Sequence, residues 1–105
     1  MAMGFHSAFA LSLSHETVIP SELVQYLVPR FSLKTRIRFD RVESAGDIQL
    51  VTDRPETGVE VLELVSGETV YLTAVGGAVE SSDYQAFVDW LVSEPGRATI
   101  ADFEL

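Results

Sequence analysis

The sequence predicts a single α+β domain, residues 1–105, built on an antiparallel sheet. Three observations predict it. The chain has 105 residues, of which 47% are hydrophobic, enough to bury one compact core and too few to divide into two. Apolar and polar residues alternate with the period of a strand in several short runs. Between those runs, apolar residues recur at helical spacing and are bracketed by helix start and stop signals.

In the first run Phe9, Leu11 and Leu13 alternate with Ala8, Ala10 and Ser12, as in a strand with one buried face. Pro20, Ser21 and Glu22 then open a helix on which Leu23, Tyr26 and Leu27 share a face, since proline suits the first turn and an acid suits its dipole. Pro29 disfavours helical geometry at Val28 and is expected to end it. Leu33, Thr35, Ile37 and Phe39 alternate with Lys34, Arg36 and Arg38, which predicts a second strand with a basic, solvated face. Ser44, Ala45 and Gly46 form a turn, Gly46 being available for positive φ, and residues 48–52 return as the hairpin partner.

Residues 57–65 read as a short helix: Thr57 and Glu60 have capping-box spacing, Val59, Leu62 and Val65 share a face, and Gly67 follows as a C-cap. The valines leave a strand as the alternative. Residues 69–75 form a strand ended by Gly76 and Gly77, and Ser82 to Gln85 form a second box-like cap. Tyr84, Phe87, Val88, Leu91 and Val92 line a last helix, stopped by Pro95 and Gly96. Residues 1–5 are expected to be a flexible N-terminus, and residues 97–105 a surface tail or an added edge strand.

Charge narrows the function. The net charge is −9, with two acids and four bases in residues 1–39 against fourteen acids and three bases in residues 40–105. Only the strip Lys34, Arg36 and Arg38 could hold a phosphate backbone, so nucleic acid is not an expected partner. The same strip is a candidate contact for an anion or an acidic partner, with a solvated sheet face as its plain reading. The absence of cysteine removes disulfides, thiolate catalysis and zinc–cysteine sites. No apolar run approaches the roughly 20 residues that cross a bilayer. The opening residues carry no basic segment ahead of an apolar one, so a cytoplasmic protein is expected.

His15 is the leading candidate for chemistry. It precedes a predicted helix N-terminus, whose N–H groups and dipole favour an anion, so its imidazole is placed to accept a phosphoryl group. No arginine or lysine lies between it and Arg30 to share that charge, and an ordinary loop histidine is the plain reading. His6 is the weaker candidate of the two. No catalytic constellation, metal ligand set or cofactor motif surrounds either, so a stand-alone enzyme is not expected.

In order, these elements are strand, helix, strand, strand, short helix, strand, helix. That order resembles the HPr-like phosphocarrier family of the bacterial sugar phosphotransferase system. The most similar texture is Val59-Glu60-Val61-Leu62-Glu63-Leu64-Val65-Ser66-Gly67-Glu68-Thr69-Val70-Tyr71-Leu72-Thr73-Ala74, followed by Ser82 to Leu91. Gln25-Tyr26-Leu27 with Leu33 to Phe39 resembles the end of that family's first helix and its next strand. The resemblance spans residues 5–93 as pattern, with the C-terminal tail an addition. It implies an open-faced sandwich, a four-stranded antiparallel sheet with two to three helices on one face. It implies His15 as phosphoryl acceptor and Thr57 as the nearest hydroxyl to a regulatory serine, with helix capping as the plain alternative for Thr57. Here Thr17 stands where the family has an arginine, and extra residues separate His15 from Pro20. The implied partner is a phosphotransferase component. The competing class is a small acidic inhibitor or immunity-type module that binds a basic protein.

Overall fold

The computed structural model describes residues 10–104. His6, the expected flexible N-terminus at 1–5 and the first residues of the opening strand lie outside the described residues. The elements are β1 (Ser12–His15), α1 (Ser21–Thr35), β2 (Asp40–Arg41), β3 (Ile48–Val51), β4 (Val59–Glu63), β5 (Thr69–Ala74), a 3-10 turn (Gly76–Glu80), α2 (Ser82–Val92) and α3 (Glu94–Glu104).

The α+β class holds, but the sheet is five-stranded and mixed, in the order β2-β1-β3-β5-β4. β1 pairs in parallel with both β2 and β3, whereas β5 runs antiparallel to β3 and β4. The expected four-stranded antiparallel sheet is therefore corrected, and the reason lies in residues 21–41. A helix between β1 and β2 brings the chain back in the original direction, as a crossover must. β3 and β5 each bury alternate residues, Ile48 and Leu50 on one and Val70, Leu72 and Ala74 on the other, so the sheet has one covered face. Leu23, Val24, Leu27 and Phe31 of α1, Tyr84, Phe87, Trp90 and Leu91 of α2, and Ile100 of α3 complete the same core.

α1 does not stop at Pro29; it runs on to Thr35, so residues 33–39, expected to be a strand, hold none, and the next strand is Asp40–Arg41. An interior proline costs about 3 kcal/mol. Of the four buried side chains on α1 only Phe31 lies beyond Pro29, and its full burial returns about 1.5–3 kcal/mol, comparable to that cost. Pro29 itself is exposed. Phe31, two residues further on, anchors the extension by stacking on Phe39 at 5.8 Å between centroids and packing on Phe87 at 4.7 Å. The helix ends at Arg36, which takes the left-handed conformation with φ 67° and donates its N–H to the carbonyl of Ser32.

Residues 57–65 adopt the alternative reading, with β4 as an edge strand carrying a register shift between Glu60 and Leu62. Pairing with β5 lets Val61 and Leu62 both bury, which a period-two pattern does not predict. Gly67, with φ 99°, sits in the hairpin turn rather than at a helix end. The tail is neither loose nor a strand: α3 starts directly after α2 and packs Ile100 and Phe103 inward. Pro95 is accommodated in its first turn, where a missing N–H is harmless. The cap of α2 is Ser81 rather than the expected box at Ser82, its Oγ accepting the N–H of Asp83 at 3.2 Å.

The link from β2 to β3 positions everything that follows. Leu13 is flanked by Arg41 on one side and Ile48 on the other, so residues 42–47 need only step across β1, roughly 10 Å or two strand spacings. The link crosses on the side bearing the small residues Ser12 and Ser14. Ser14 Oγ accepts the N–H of Gly46 at 3.0 Å, and Ser12 Oγ accepts that of Asp47 at 2.9 Å. Asp47 Oδ2 in turn accepts from the N–H and hydroxyl of Ser12. Positive φ falls on Ala45, at 56°, and not on Gly46. Gly46 is required for closeness instead: a Cβ there would lie 2.7 Å from the backbone N of Ser14.

Candidate functional site

His15 is the last residue of β1, half-buried and in register with Leu50 of β3. It lies where parallel strands end and the chain changes sides of β1, the kind of position at which open sheets receive ligands. The next residue fastens this end of the sheet. Glu16 donates its N–H to Leu50 O at 3.1 Å, and its carboxylate accepts the hydroxyl of Thr52 at 2.7 Å and the N–H of Thr52 at 3.2 Å.

The ring of His15 is oriented by the backbone. Nδ1 lies 2.9 Å from the carbonyl oxygen of Glu16. A carbonyl can only accept, so this contact assigns the proton to Nδ1 and leaves Nε2 with its lone pair in the neutral ring. The side chain lines two adjoining hollows. One is formed with Thr17, Arg41, Val42, Glu43 and Ser44, the other mainly with Ser14, Glu16, Glu43, Ser44 and Gln49. The walls therefore come from the crossing link rather than from the first turn of α1, which a turn from Glu16 to Ile19 separates from the histidine.

Arg41 is the residue of this hollow that the sequence reading did not single out. It reaches the hollow because β2 pairs beside β1, with Arg41 in register with Leu13. Nothing local in the sequence marks it, since the signal is the parallel pairing itself. It puts a basic residue in the hollow that His15 lines, which the residues following the histidine lack, alongside the acid Glu43 and the hydroxyl residues Thr17 and Ser44.

The other candidate residues are dispersed. Thr57 is exposed and precedes β4, its carbonyl accepting the hydroxyl of Thr73, so a strand follows it rather than a helix it could cap. Lys34 lies in the last turn of α1, Arg36 caps that helix, and Arg38 sits in the extended arm before β2. They do not form the solvated face of a sheet. Arg36 and Arg38 instead border a hollow floored by Val28, Pro29, Leu33 and Phe39.

Comparison with protein-family models, with curated proteins and with solved structures finds no match. Among the described residues, no helix is long and apolar enough to cross a membrane, and no group of three or more His, Asp or Glu side chains could hold a metal ion.

Proposed function

We propose that the chain is a cytoplasmic phosphoryl-accepting carrier, or a docking relative of one, whose working group is Nε2 of His15. The observation that carries this reading is that a histidine whose Nδ1 is committed to a carbonyl and Arg41 line one hollow. The Nε2 lone pair attacks the phosphorus of the donor, the bond to the donor's leaving oxygen breaks, and that oxygen keeps the electron pair. The proton stays on Nδ1, donated to the Glu16 carbonyl, and Arg41 balances the charge of the new phosphoryl oxygens. The element order expected from the HPr-like family is not kept, since residues 59–63 form a strand in place of the short helix and β1 pairs in parallel, so the reading rests on the His15 hollow alone.

The deciding experiment is intact-mass and phosphohistidine analysis after incubation with phosphoenolpyruvate and a general phosphotransferase enzyme, with a known HPr alongside. Transfer that requires His15, is lost in His15→Ala and is slowed in Arg41→Ala supports the carrier. An unmodified native chain beside a phosphorylated control rejects it. A second reading is favoured by the fourteen acids of residues 40–105: an acidic module that binds a basic protein with salt-sensitive affinity and no modification of His15.

A further inference from the structure

Five of the seven basic residues, Arg30, Lys34, Arg36, Arg38 and Arg41, fall within residues 30–41 of a chain whose net charge is −9. The fold gathers two of them at one place. Arg36 and Arg38, both exposed, border a hollow whose remaining walls are Val28, Pro29, Ser32, Leu33 and Phe39. Leu33 is 85% exposed, an apolar side chain held in water on the rim of a basic cup. The hollow thus offers cations and apolar surface together.

The backbone beneath it is fixed. Ser32 Oγ donates to the carbonyl of Ile37 at 2.6 Å, Thr35 Oγ1 donates to Phe31 O at 2.8 Å, and the N–H of Ile37 donates to Thr35 Oγ1 at 3.2 Å. Arg36 stands at φ 67°, in the left-handed region where glycine or asparagine is the usual occupant. The chain therefore keeps a long cationic side chain where a shorter residue would sit with less strain.

We propose that this hollow is a docking site for an acidic peptide segment of a partner protein, with an apolar side chain seated against Leu33, Pro29 and Phe39 and its flanking carboxylates paired with Arg36 and Arg38. Charge complementarity selects the partner: on a chain of net charge −9, Arg36 and Arg38 pair two cations with apolar surface, so an acidic segment is drawn to this hollow and oriented as it arrives. The guanidinium fork suits carboxylates in pairs. This site is separate from the His15 hollow and does not depend on the carrier reading.

The test is titration of the labelled native chain with a short peptide of a central leucine flanked by glutamates, followed by amide chemical shifts. The same peptide with serine for leucine, and inorganic phosphate, serve as comparisons. The leucine peptide should shift Ser32, Leu33, Arg36 and Arg38, weaken with added salt, and bind about tenfold less tightly to Arg36→Gly, a loss equal to one charge-assisted contact. Because glycine relaxes the left-handed position, Arg36→Gly keeps its melting temperature, so lost binding cannot be lost folding. His15→Ala should bind the peptide unchanged. Equal binding of the serine peptide would reduce the hollow to a plain anion site and overturn the proposal. Shifts mapping elsewhere, or affinity indifferent to Arg36→Gly, would overturn it as well.

Discussion

Gly46→Ala is the substitution that most directly probes the crossing link. A methyl group at this position would lie 2.7 Å from Ser14 N, 2.9 Å from Ile48 O and 3.0 Å from Leu13 C. All three are backbone atoms of the β1–β3 pair, which cannot retreat without opening the ladder. Overpacking of this kind costs about 1–3 kcal/mol. Displacing the link also lengthens the 3.0 Å bond from Gly46 N–H to the buried hydroxyl of Ser14, a further cost of about 1 kcal/mol. Stiffening the unfolded chain offsets about 0.4–1 kcal/mol of this. The net expectation is a loss of about 1–3.6 kcal/mol, a large share of the 5–15 kcal/mol typical of a domain. At about 2.1 cal/mol/K per residue, that lowers the melting temperature by roughly 5–16 °C. Urea denaturation at equilibrium measures it, with an unchanged slope confirming two-state behaviour. Gly77→Ala, where a Cβ meets nothing within 4 Å, is the matched control and should be close to neutral. A Gly46→Ala variant within about 0.5 kcal/mol of the native chain would refute the close crossing of β1.

Pro29→Ala should raise stability by about 1–3 kcal/mol, because the exposed ring leaves the carbonyl of Gln25 without its helical donor; a lower melting temperature would mean the ring packs more than its exposure suggests. Burial raises the phenol of Tyr84 above its ordinary value of about 10. The unfolded chain therefore releases this proton first, so stability is intact below about pH 10 and declines as pH climbs toward the folded value. Tyr84→Phe should flatten that alkaline decline in pH-dependent urea melts, and an identical decline in the variant would assign it to another group. Arg97 donates to the carbonyls of Val61 at 3.0 Å and Glu60 at 3.1 Å along the β4 edge. Arg97→Ala should uncover that edge and produce concentration-dependent association in sedimentation; a variant that stays at the native sedimentation coefficient would show that the bulge alone protects it.

The parts of the fold legible in the sequence are those where local pattern and tertiary environment agree. β5 alternates buried and half-buried residues along its whole length, and α2 carries a stripe from Tyr84 to Leu91, so each is readable from its own residues. Residues 33–39 show the opposite. Their alternation is genuine, but it spans a helix end and an extended arm, with Phe39 buried and Leu33 turned out to solvent. Period two records which residues alternate in polarity, and only packing decides whether a strand carries them. Thr57 and Glu60 satisfy a capping box by spacing, yet the edge of β5 offers residues 59–63 a pairing partner, which outweighs one cap. His15 is visible in the sequence because it is a histidine just before a predicted helix N-terminus. Arg41 is not, because a parallel register between β1 and β2 leaves no trace in either strand's own sequence.

The short β2 strand ties these observations together. Its two residues, Asp40 and Arg41, are both exposed, too few and too charged to attract a further strand at this edge. Arg41 lines the hollow that His15 also lines, while Arg36 and Arg38 remain on the arm that precedes Asp40. One cation-rich segment is thereby divided between two hollows by a strand that holds to β1 through the N–H of Asp40 on Leu11 O at 2.9 Å and that of Val42 on Leu13 O at 3.0 Å. The consequence is a difference in mechanical dependence. The His15 hollow is walled by the crossing link and must loosen when Gly46 is displaced. The Arg36 hollow rests on α1 and its own hydroxyl–carbonyl bonds, and should keep its shape under the same change. Amide shifts in Gly46→Ala confined to the neighbourhood of residues 12–16 and 41–50, with those of Ser32 to Arg38 unmoved, are the signature of that division.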